Sequence, residues 1–428
     1  MGATAPALVT QTGFQHLKTL DALLAAQAIA HDDFDHAARQ FRRILSYQQP
    51  DGALPFLVYG PSVDPTQRWF ASDETFFPAP AFWRSTANVT DVNVAVLAPP
   101  IAADVAWQMY RLAPFESAMG MTAHTTSAVI FLCDVYGPLR RLHEHIMTSR
   151  RSARTSHSLL EAWHPWETLS AFSEHWRISL ASLKQRESYG AFVKTIPATA
   201  KARYKRGAVM NGRSDAEAVV EDFFEPMMFL ASCLSRVDDV FSSNRVFEPL
   251  AQPRKCGFAV HDVEFNTLVL RSTLALAEIA RALTERASVC PSFSLADNEL
   301  DADLEMLTRD AEMLRQAIDG DNNATGLWNA DIELYDDDDV SGGKHPTLRG
   351  IVPASAIHLG ESRKLGLLSH FLAPARETGF FCDRFPASYF PCRRTSASTS
   401  DAGMSLLHYN RILQQAFQTV SDVFWVRA

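Results

Sequence analysis

The amino-acid sequence predicts an all-α protein, and three observations support that fold class. Apolar residues recur at every third or fourth position along much of the chain, which is the spacing of one face of an amphipathic helix. Short polar turns separate neighbouring helical patterns, as expected for paired helices. Strand-like alternation is scarce, and no Asn-Gly or Asp-Gly dipeptide joins two β-rich segments into a hairpin.

The predicted helices can be followed from the N-terminus onward. The first helix has its apolar face at Leu17, Leu20, Leu24 and Ala28. The second continues the pattern, after a short polar turn, at Phe41, Ile44 and Leu45. Residues 268–279 are apolar on more than one face, which indicates a helix buried between its neighbours. A further amphipathic helix has its apolar residues at Leu304, Leu307, Ala311, Leu314 and Ile318.

The longest predicted loop covers residues 49–92 and is rich in Pro, Phe and Trp. A loop of this length in a compact domain is usually functional or poorly ordered. Its many aromatic residues argue against disorder. Two interpretations are equally good, namely a folded rim over a pocket and a hydrophobic cap that serves only stability.

Composition limits the classes of protein to consider. The chain has 428 residues, of which 47% are hydrophobic and 21% charged, and no linker-like stretch divides it, so one domain over residues 1–428 is expected. A net charge of -9 argues against nucleic acid or an anionic membrane as partner. No apolar segment approaches the roughly 18 residues needed to cross a bilayer, and no secretory signal opens the chain. We therefore expect a cytoplasmic protein with a small-molecule ligand; the oligomeric state is left open.

Cysteine usage predicts reduced, mostly buried thiols. No C-x-x-C pair occurs, and the density is too low for a disulfide scaffold. The six residues are Cys133, Cys233, Cys256, Cys290, Cys382 and Cys392.

Seven segments carry a resemblance to a known family. They are Leu20-Asp21, Gln48–Pro55, Leu97–Pro100, His164–Thr168, Phe258–Asn266, Gly326–Tyr335 and Val352-Pro353. The second resembles a Q-x-x-D-G-x-x-P turn, the fourth an H-P-W-E-S core and the fifth an F-x-x-x-D-x-x-x-N helix entry. In this order they resemble the mannosylglycerate-hydrolase-like glycoside hydrolases and the related glycoside hydrolase family 63. The resemblance implies an (α/α)6 barrel, two concentric rings of six helices, with a pocket at one end lined by interhelical loops.

The two carboxyl groups that glycoside hydrolysis generally needs are missing from the matching positions. In the resembling family the acid is the Asp of H-P-W-E-S-G-x-D-N-S. Here Ala171 stands for that Asp, and Phe172 stands for the following Asn. The family's base is a Glu shortly before an F-x-W-T-A stretch. Phe424-Trp425-Val426 resembles that stretch, yet no Glu separates it from the predicted helix 404–418.

The remaining candidate site residues surround the H-P-W-E core. The candidate catalytic residues are Glu167, Glu174 and His164. Glu167 has two interpretations, a hydrogen-bond anchor for a ligand and a buried carboxylate that fixes a loop through backbone N–H groups. The candidate substrate-binding residues are Trp166, Phe172, Trp176, Trp69, Phe77 and Trp83. A role in the core is an equally good interpretation for Trp166 and Trp176.

No metal site and no cofactor are expected. Four consecutive acids, Asp336 to Asp339, suggest a metal site at first sight, but they point in different directions and repel, so a solvated loop is predicted. The sequence contains no G-x-S-x-G, G-x-G-x-x-G or P-loop motif.

Together these observations predict a cofactor-independent enzyme on a glycosidase-like barrel. The apolar residues at positions 171 and 172 favour a less polar ligand than a sugar. A cyclisation, cycloaddition or isomerisation in specialised biosynthesis is the predicted chemistry, because positioning alone removes part of a barrier. The alternatives are an α-glycoside hydrolase with relocated carboxylates, such as Glu174 or Glu167, and a non-catalytic sugar-binding protein.

Overall fold

A computed structural model describes a large part of the chain. The described residues are 16–59, 92–93, 96–113, 123–151, 159–196, 198, 201–202, 204–206, 216–235, 258–286, 290, 297–320, 326–338, 344–346, 348–372, 381–382 and 385–386. The α-helices are Thr19–Ile29 (α1), Phe34–Leu45 (α2), Ala102–Leu112 (α3), Ala123–Ser149 (α4), Glu174–Ala181 (α5), Glu187–Thr195 (α6), Ala216–Val219 (α7), Glu225–Ser235 (α8), Val263–Thr284 (α9), Asp297–Asp319 (α10) and Glu361–Leu372 (α11). A π-helical turn, Val220–Phe224, joins α7 to α8, and three 3-10 helices lie at Pro165–Glu167, Ser182–Gln185 and Leu348–Ser355.

The helices pack mainly in pairs. α1 packs on α2, α3 on α4, and α9 on α10, while α9 also contacts α3 and α4. One hydrophobic cluster draws on all of these helices. The fold is therefore dominated by paired helices, as the sequence predicted, and the closed barrel of six pairs stays a prediction.

Helix ends and faces follow from the sequence. Asp33 caps α2 by accepting a hydrogen bond from the backbone N–H of His36 at 2.8 Å. Asp262 caps α9 in the same way, accepting from Phe265 N–H at 2.6 Å. The prediction that 268–279 is buried on more than one face is confirmed. The prediction for α1 is wrong in detail, because residues 19–26 are buried all around the helix while Ala28 is exposed.

Strands are short in the described part of the chain, with two to five residues each. They are His16–Lys18 (β1), Leu57–Tyr59 (β2), Val92–Asn93 (β3), Trp328–Asn329 (β4), Leu334–Asp338 (β5), Lys344–Pro346 (β6), Phe381–Cys382 (β7) and Phe385–Pro386 (β8). They form antiparallel sheets β1-β2-β3, β4-β5-β6 and β7-β8. Isolated bridges pair Ala162 with Val260 and His261 with Asp338. These bridges bring the segment after α4, the entry to α9 and β5 to one place.

The turn after α2 explains its Asp-Gly dipeptide. Gly52 has φ +93°, and a Cβ there would overlap the carbonyl of Arg141 on α4, so only glycine fits. Gln48 fixes the turn, since its Nε2 donates to the carbonyl of Pro138 at 2.8 Å. The turn therefore docks against α4, whose C-terminal end leads into the segment that carries the candidate site.

The expectation of reduced thiols is wrong for two cysteines. Cys133 on α4 and Cys290, between α9 and α10, form a disulfide with Cα atoms 6.0 Å apart. Sequence spacing could not show this, because the two residues are 157 positions apart and meet only when the helices pack.

Within the described residues, no helix combines the length and apolarity that a membrane crossing requires.

Candidate functional site

The segment between α4 and α5 carries most of the candidate residues. Its described part is buried from residue 159 to 169 and again at Ser173, His175 and Trp176. Only Ser170, Ala171 and Phe172 are half-buried. We call these three the rim residues. The position that holds the acid in the resembling family therefore lies where the segment reaches solvent.

Glu167 forms a buried ion pair with Arg150. It is 0% exposed, and its Oε1 accepts a hydrogen bond from Arg150 Nη2 at 2.7 Å. Its Oε2 accepts from the backbone N–H of Trp163 at 2.8 Å. Burial raises the pKa of Glu167, and the neighbouring Arg150 opposes that shift. The guanidinium of Arg150 lies 3.4 Å from the centroid of the Trp163 ring, a cation–π contact.

His164 is a buried, neutral imidazole. Its Nδ1 accepts from the backbone N–H of Trp166 at 3.1 Å, so its Nε2 carries the proton and donates to the carbonyl of Met227 at 3.0 Å. Burial lowers the pKa of His164 to about 3. Both ring nitrogens are therefore occupied at neutral pH.

The aromatic candidates differ in accessibility. Trp166 is buried and stacks on Phe56 with ring centroids 4.7 Å apart. Trp176 is 0% exposed, and its Nε1 donates to Thr168 Oγ1 at 3.2 Å. Phe172 is half-buried and meets the Phe223 ring edge-on at 5.3 Å.

The other candidates lie outside the described residues in whole or in part. Trp69, Phe77 and Trp83 belong to a stretch that the structure does not describe. Glu174 is the first residue of α5, and its side chain is not among the described ones. The roles assigned to all the candidate residues stay predictions.

A second buried cluster centres on Arg349. Its Nε donates to Glu264 Oε2 at 2.9 Å, its Nη1 to Asp337 Oδ2 at 3.3 Å and its Nη2 to Asp262 Oδ2. His175 adds an imidazole, with Nδ1 3.6 Å from Asp337 Oδ2 and Nε2 3.8 Å from Asp262 Oδ2. None of these side chains is more than 1% exposed.

Glu264 connects this cluster to the rim residues. Its Oε1 accepts from the backbone N–H of Leu169 at 2.5 Å, and its Oε2 accepts from Ser170 Oγ at 2.5 Å. Glu264 lies in the first turn of α9. The buried carboxyl group of Glu264 is therefore hydrogen-bonded directly to the side chain of a rim residue.

The electrostatics of the cluster favour retained protons. Burial raises the pKa of Asp262 and of Glu264, and Arg349 lowers both. Asp337 further raises the pKa of Asp262, and Asp262 further raises that of Glu264. Burial lowers the pKa of Arg349, but the three carboxylates raise it well above its usual value. Arg349 is therefore a permanent cation, and the carboxyl groups are the titratable members.

A metal ion is a second occupant to consider here. His175, Asp262 and Asp337 each offer a ligand atom, and these atoms lie within 4.8 Å of one another. The Asp262 and Asp337 oxygens in question already accept hydrogen bonds from Arg349. The guanidinium is thus the cation that these carboxylates hold.

The prediction of a solvated loop at 336–339 is wrong for two of its acids. Asp336 is 2% and Asp337 1% exposed. They lie on β5, where successive side chains point to opposite faces, so they do not face each other. Asp336 Oδ2 accepts from Asn329 Nδ2 at 2.6 Å, while Asp337 turns to Arg349.

Sequence reasoning missed Ser170, Glu264, Asp337, His175 and Arg349. One feature of the sequence could have indicated two of these residues. Glu264 and Arg349 are charged residues among apolar neighbours, Val263 and Phe265 in one case and Ile351 and Val352 in the other. Buried charges of this kind are normally paired, but their partners are 85 positions apart, and no local pattern links them.

The paired helices and the buried His-Pro-Trp-Glu segment define a glycosidase-like helical scaffold. The chain belongs to the family described as the mannosylglycerate hydrolase MGH1-like glycoside hydrolase domain, whose sequence profile matches residues 15–377. That family is one of enzymes. The predicted resemblance is therefore confirmed.

Individual relatives agree with this assignment. The chain is 25% identical over 281 residues to a mannosylglycerate hydrolase from Rubrobacter radiotolerans, which covers 64% of this chain and 54% of that protein. The chain thus spans about half the length of this curated relative. Among solved structures, it is similar to the GH63 mannosylglycerate hydrolase from Thermus thermophilus. The complex with Tris has a TM-score of 0.62 at 17% identity, over 95% of this chain and 81% of that one. The complex with glucose has a TM-score of 0.62 at 18% identity, over 98% and 84%.

Proposed function

We propose that the chain is an enzyme whose small-molecule substrate contacts the rim residues Ser170, Ala171 and Phe172. One observation carries this proposal. Between residues 159 and 173, where every other residue is buried, the three half-buried residues include and flank the position of the acid in the family motif. This stretch therefore reaches the surface at that position.

Two of the three rim residues make this surface apolar. A methyl group at Ala171 cannot donate a proton, and the ring of Phe172 offers stacking rather than hydrogen bonding. The direct acid-assisted route of the family is therefore missing. A reaction that depends on holding a substrate in one conformation, such as an isomerisation or a cyclisation, is the first candidate.

Hydrolysis of an α-glycoside with a relocated acid is the second candidate. The observation in its favour is the hydrogen bond between Ser170 and Glu264, which places a carboxyl group beside the rim. Glu167 has a different part in this proposal. Because both its oxygens accept from protein donors, it fixes the segment that presents the rim residues. Trp166 stacks on Phe56, and Trp176 donates to Thr168, so both rings hold this segment in the core.

Mass spectrometry of reaction mixtures separates the two candidates. The purified chain is incubated with a panel of small α-glycosides, including α-mannosylglycerate, α-glucosylglycerate and nitrophenyl α-glucoside. Hydrolysis adds the elements of water across a bond, whereas isomerisation or cyclisation leaves the mass unchanged and gives a product of different chromatographic retention. We expect no sugar release from these three compounds. Release at an ordinary enzymatic rate would establish the hydrolase instead.

Binding is measured in parallel, by calorimetry, with the same compounds. Phe172→Ala is the test variant, and Leu274→Ala is its control, because Leu274 is 41% exposed on α9 and outside the site. Loss of binding only in Phe172→Ala supports the rim as the contact surface. Binding of a sugar that is recovered with unchanged mass and unchanged chromatographic retention would point to the non-catalytic sugar-binding alternative.

A further inference from the structure

We infer that Ser170 passes a proton between a bound ligand and the buried carboxyl group of Glu264, which makes this pair the acid–base device of the site. The inference rests on the proposed contact between substrate and rim residues. It assigns to Ser170 the part that a carboxylic acid at position 171 would otherwise have.

Geometry provides the route. Ser170 is half-buried and is one of the rim residues that we propose contact the ligand. On the inner side its Oγ is 2.5 Å from Glu264 Oε2. The other oxygen of Glu264 accepts from the backbone N–H of Leu169, which fixes the carboxyl plane. One hydroxyl therefore bridges Glu264 and the place where a ligand would lie.

Charge provides the proton. Among the described residues, the charged and titratable groups that face this carboxyl or its neighbours are Arg349, Asp262, Asp337 and His175. Burial raises the pKa of Glu264 and Asp262 adds to that shift, while Arg349 and the hydrogen bonds from Ser170 and Leu169 N–H oppose it; the net direction is upward. Of the three carboxyl groups, Glu264 is the one bonded to a half-exposed hydroxyl.

The step balances without any co-reactant. When Glu264 is protonated, its O–H donates to Ser170 Oγ, and the Ser170 hydroxyl turns to the ligand. A ligand oxygen then accepts the proton from Ser170 Oγ as the carboxylic proton of Glu264 moves to the same Oγ, after which Ser170 again donates to the Glu264 carboxylate. Ser170 ends as it began, and Glu264 becomes a carboxylate that keeps its hydrogen bonds from Leu169 N–H and Arg349 Nε. The reverse sequence takes a proton from the ligand. The pair can therefore serve hydrolysis, isomerisation or cyclisation.

Infrared spectroscopy tests the pair without any substrate. A protonated, buried carboxyl group gives a C=O stretching band separate from that of carboxylates. We expect this band in the wild-type protein at neutral pH and its loss in Glu264→Gln, with folding checked by circular dichroism. If the band persists in Glu264→Gln and disappears in Asp262→Asn or Asp337→Asn, the assignment to Glu264 is overturned. Absence of the band from the wild type overturns it as well.

Deuterium exchange tests the route through Ser170. In D₂O the C=O band shifts as the carboxyl proton exchanges. In Ser170→Ala we expect exchange to slow roughly tenfold or more, because it then requires local opening of the segment. The matched control is Ser272→Ala, since Ser272 is a half-buried serine whose hydroxyl donates to the Pro100 carbonyl and to no carboxylate in the described structure. Equal rates in Ser170→Ala and the wild type would refute the relay while leaving the ligand-binding result untouched.

Discussion

Two buried arginines hold the same segment and differ in how their charge is balanced. Arg150 holds its earlier part through Glu167, and Arg349 holds its later part through Glu264, which binds Leu169 and Ser170. Arg150 has one carboxylate in direct contact, and its Nε and Nη1 have no hydrogen-bond partner in the described structure. Arg349 directs all three of its nitrogens to carboxylates.

This difference suggests separate parts for the two clusters, with the Arg150 cluster fixing the segment and the Arg349 cluster also taking part in proton transfer. Arg150 also faces the buried Glu161, so neither cluster is a single isolated ion pair. Both clusters fix backbone, but only in the second does a carboxyl group, that of Glu264, accept from the hydroxyl of a half-buried rim residue. The proposed proton exchange therefore belongs to the Arg349 cluster. The effects of removing each arginine should therefore differ in size and in pH dependence.

Arg349→Met is expected to have the largest effect. It leaves three buried carboxyl groups without their guanidinium, and loss of one partner of a buried ion pair costs about 3–5 kcal/mol. Urea unfolding measures the change. The loss should shrink as the pH is lowered, because protonation removes the repulsion among the carboxylates. As a control, Arg315→Met removes an exposed ion pair with Glu312 and should cost at most about 1 kcal/mol.

Removal of the Arg150–Glu167 pair should cost somewhat less. Glu167→Gln leaves the buried guanidinium without the one carboxylate that it contacts directly, and we expect a loss of about 3 kcal/mol in unfolding free energy. The double variant Arg150→Met with Glu167→Gln should recover part of that loss, because the guanidinium is removed together with its direct partner. A double-mutant cycle measures the recovery. Costs that simply add would show that the two side chains do not act as a pair.

The two clusters also differ in how far the sequence can predict them, because Glu167 accepts from a backbone N–H close to it in sequence, whereas Glu264 accepts from one that is far away. The Asp33 cap and the apolar pattern of residues 268–279 depend on neighbours close in sequence, so local rules suffice for them. The Gly52 turn instead requires the carbonyl of Arg141 on α4, which no local rule supplies. For Glu167, one of the two interpretations, a buried carboxylate that binds backbone N–H, matches its hydrogen bond from Trp163 only four residues away.

The Arg349 cluster lies beyond such rules. Glu264 and Ser170 are 94 positions apart, and they meet only because α9 packs beside the segment. A run of four acids looked solvent-exposed because strand alternation on β5, which separates Asp336 from Asp337, was not foreseen. The absence of an acid at Ala171 was visible in the sequence, whereas the carboxyl group beside it was visible only in the fold.

Acidification should reveal His164, whose titration opposes that of the Arg349 cluster. Its pKa is about 3 in the folded protein against 6.5 for the ordinary group, so the unfolded chain binds a proton that the folded one does not. Stability is then lost as the pH falls below 6.5, by about 2 kcal/mol between pH 7 and pH 5. Glu264 has a raised pKa, so its contribution has the opposite sign and is lost as the pH rises. Unfolding at both pH values should show a flatter dependence in His164→Gln than in the wild type, and an unchanged dependence would contradict the neutral imidazole.

Phe172→Ala should have the smallest effect on stability, because Phe172 is a rim residue and neither arginine cluster depends on it. A half-buried ring contributes part of the burial energy of a core ring, so the expected cost is about 1 kcal/mol, against about 3–5 kcal/mol for Phe41→Ala in the core, where Phe41 is 0% exposed. Ligand affinity should follow the reverse order, with Phe172→Ala impaired and Phe41→Ala unaffected under conditions where both are folded. Urea unfolding and calorimetry on the same preparations measure the two quantities. A Phe172→Ala protein that loses several kcal/mol of stability but binds normally would place this ring in the core and move the ligand away from the rim.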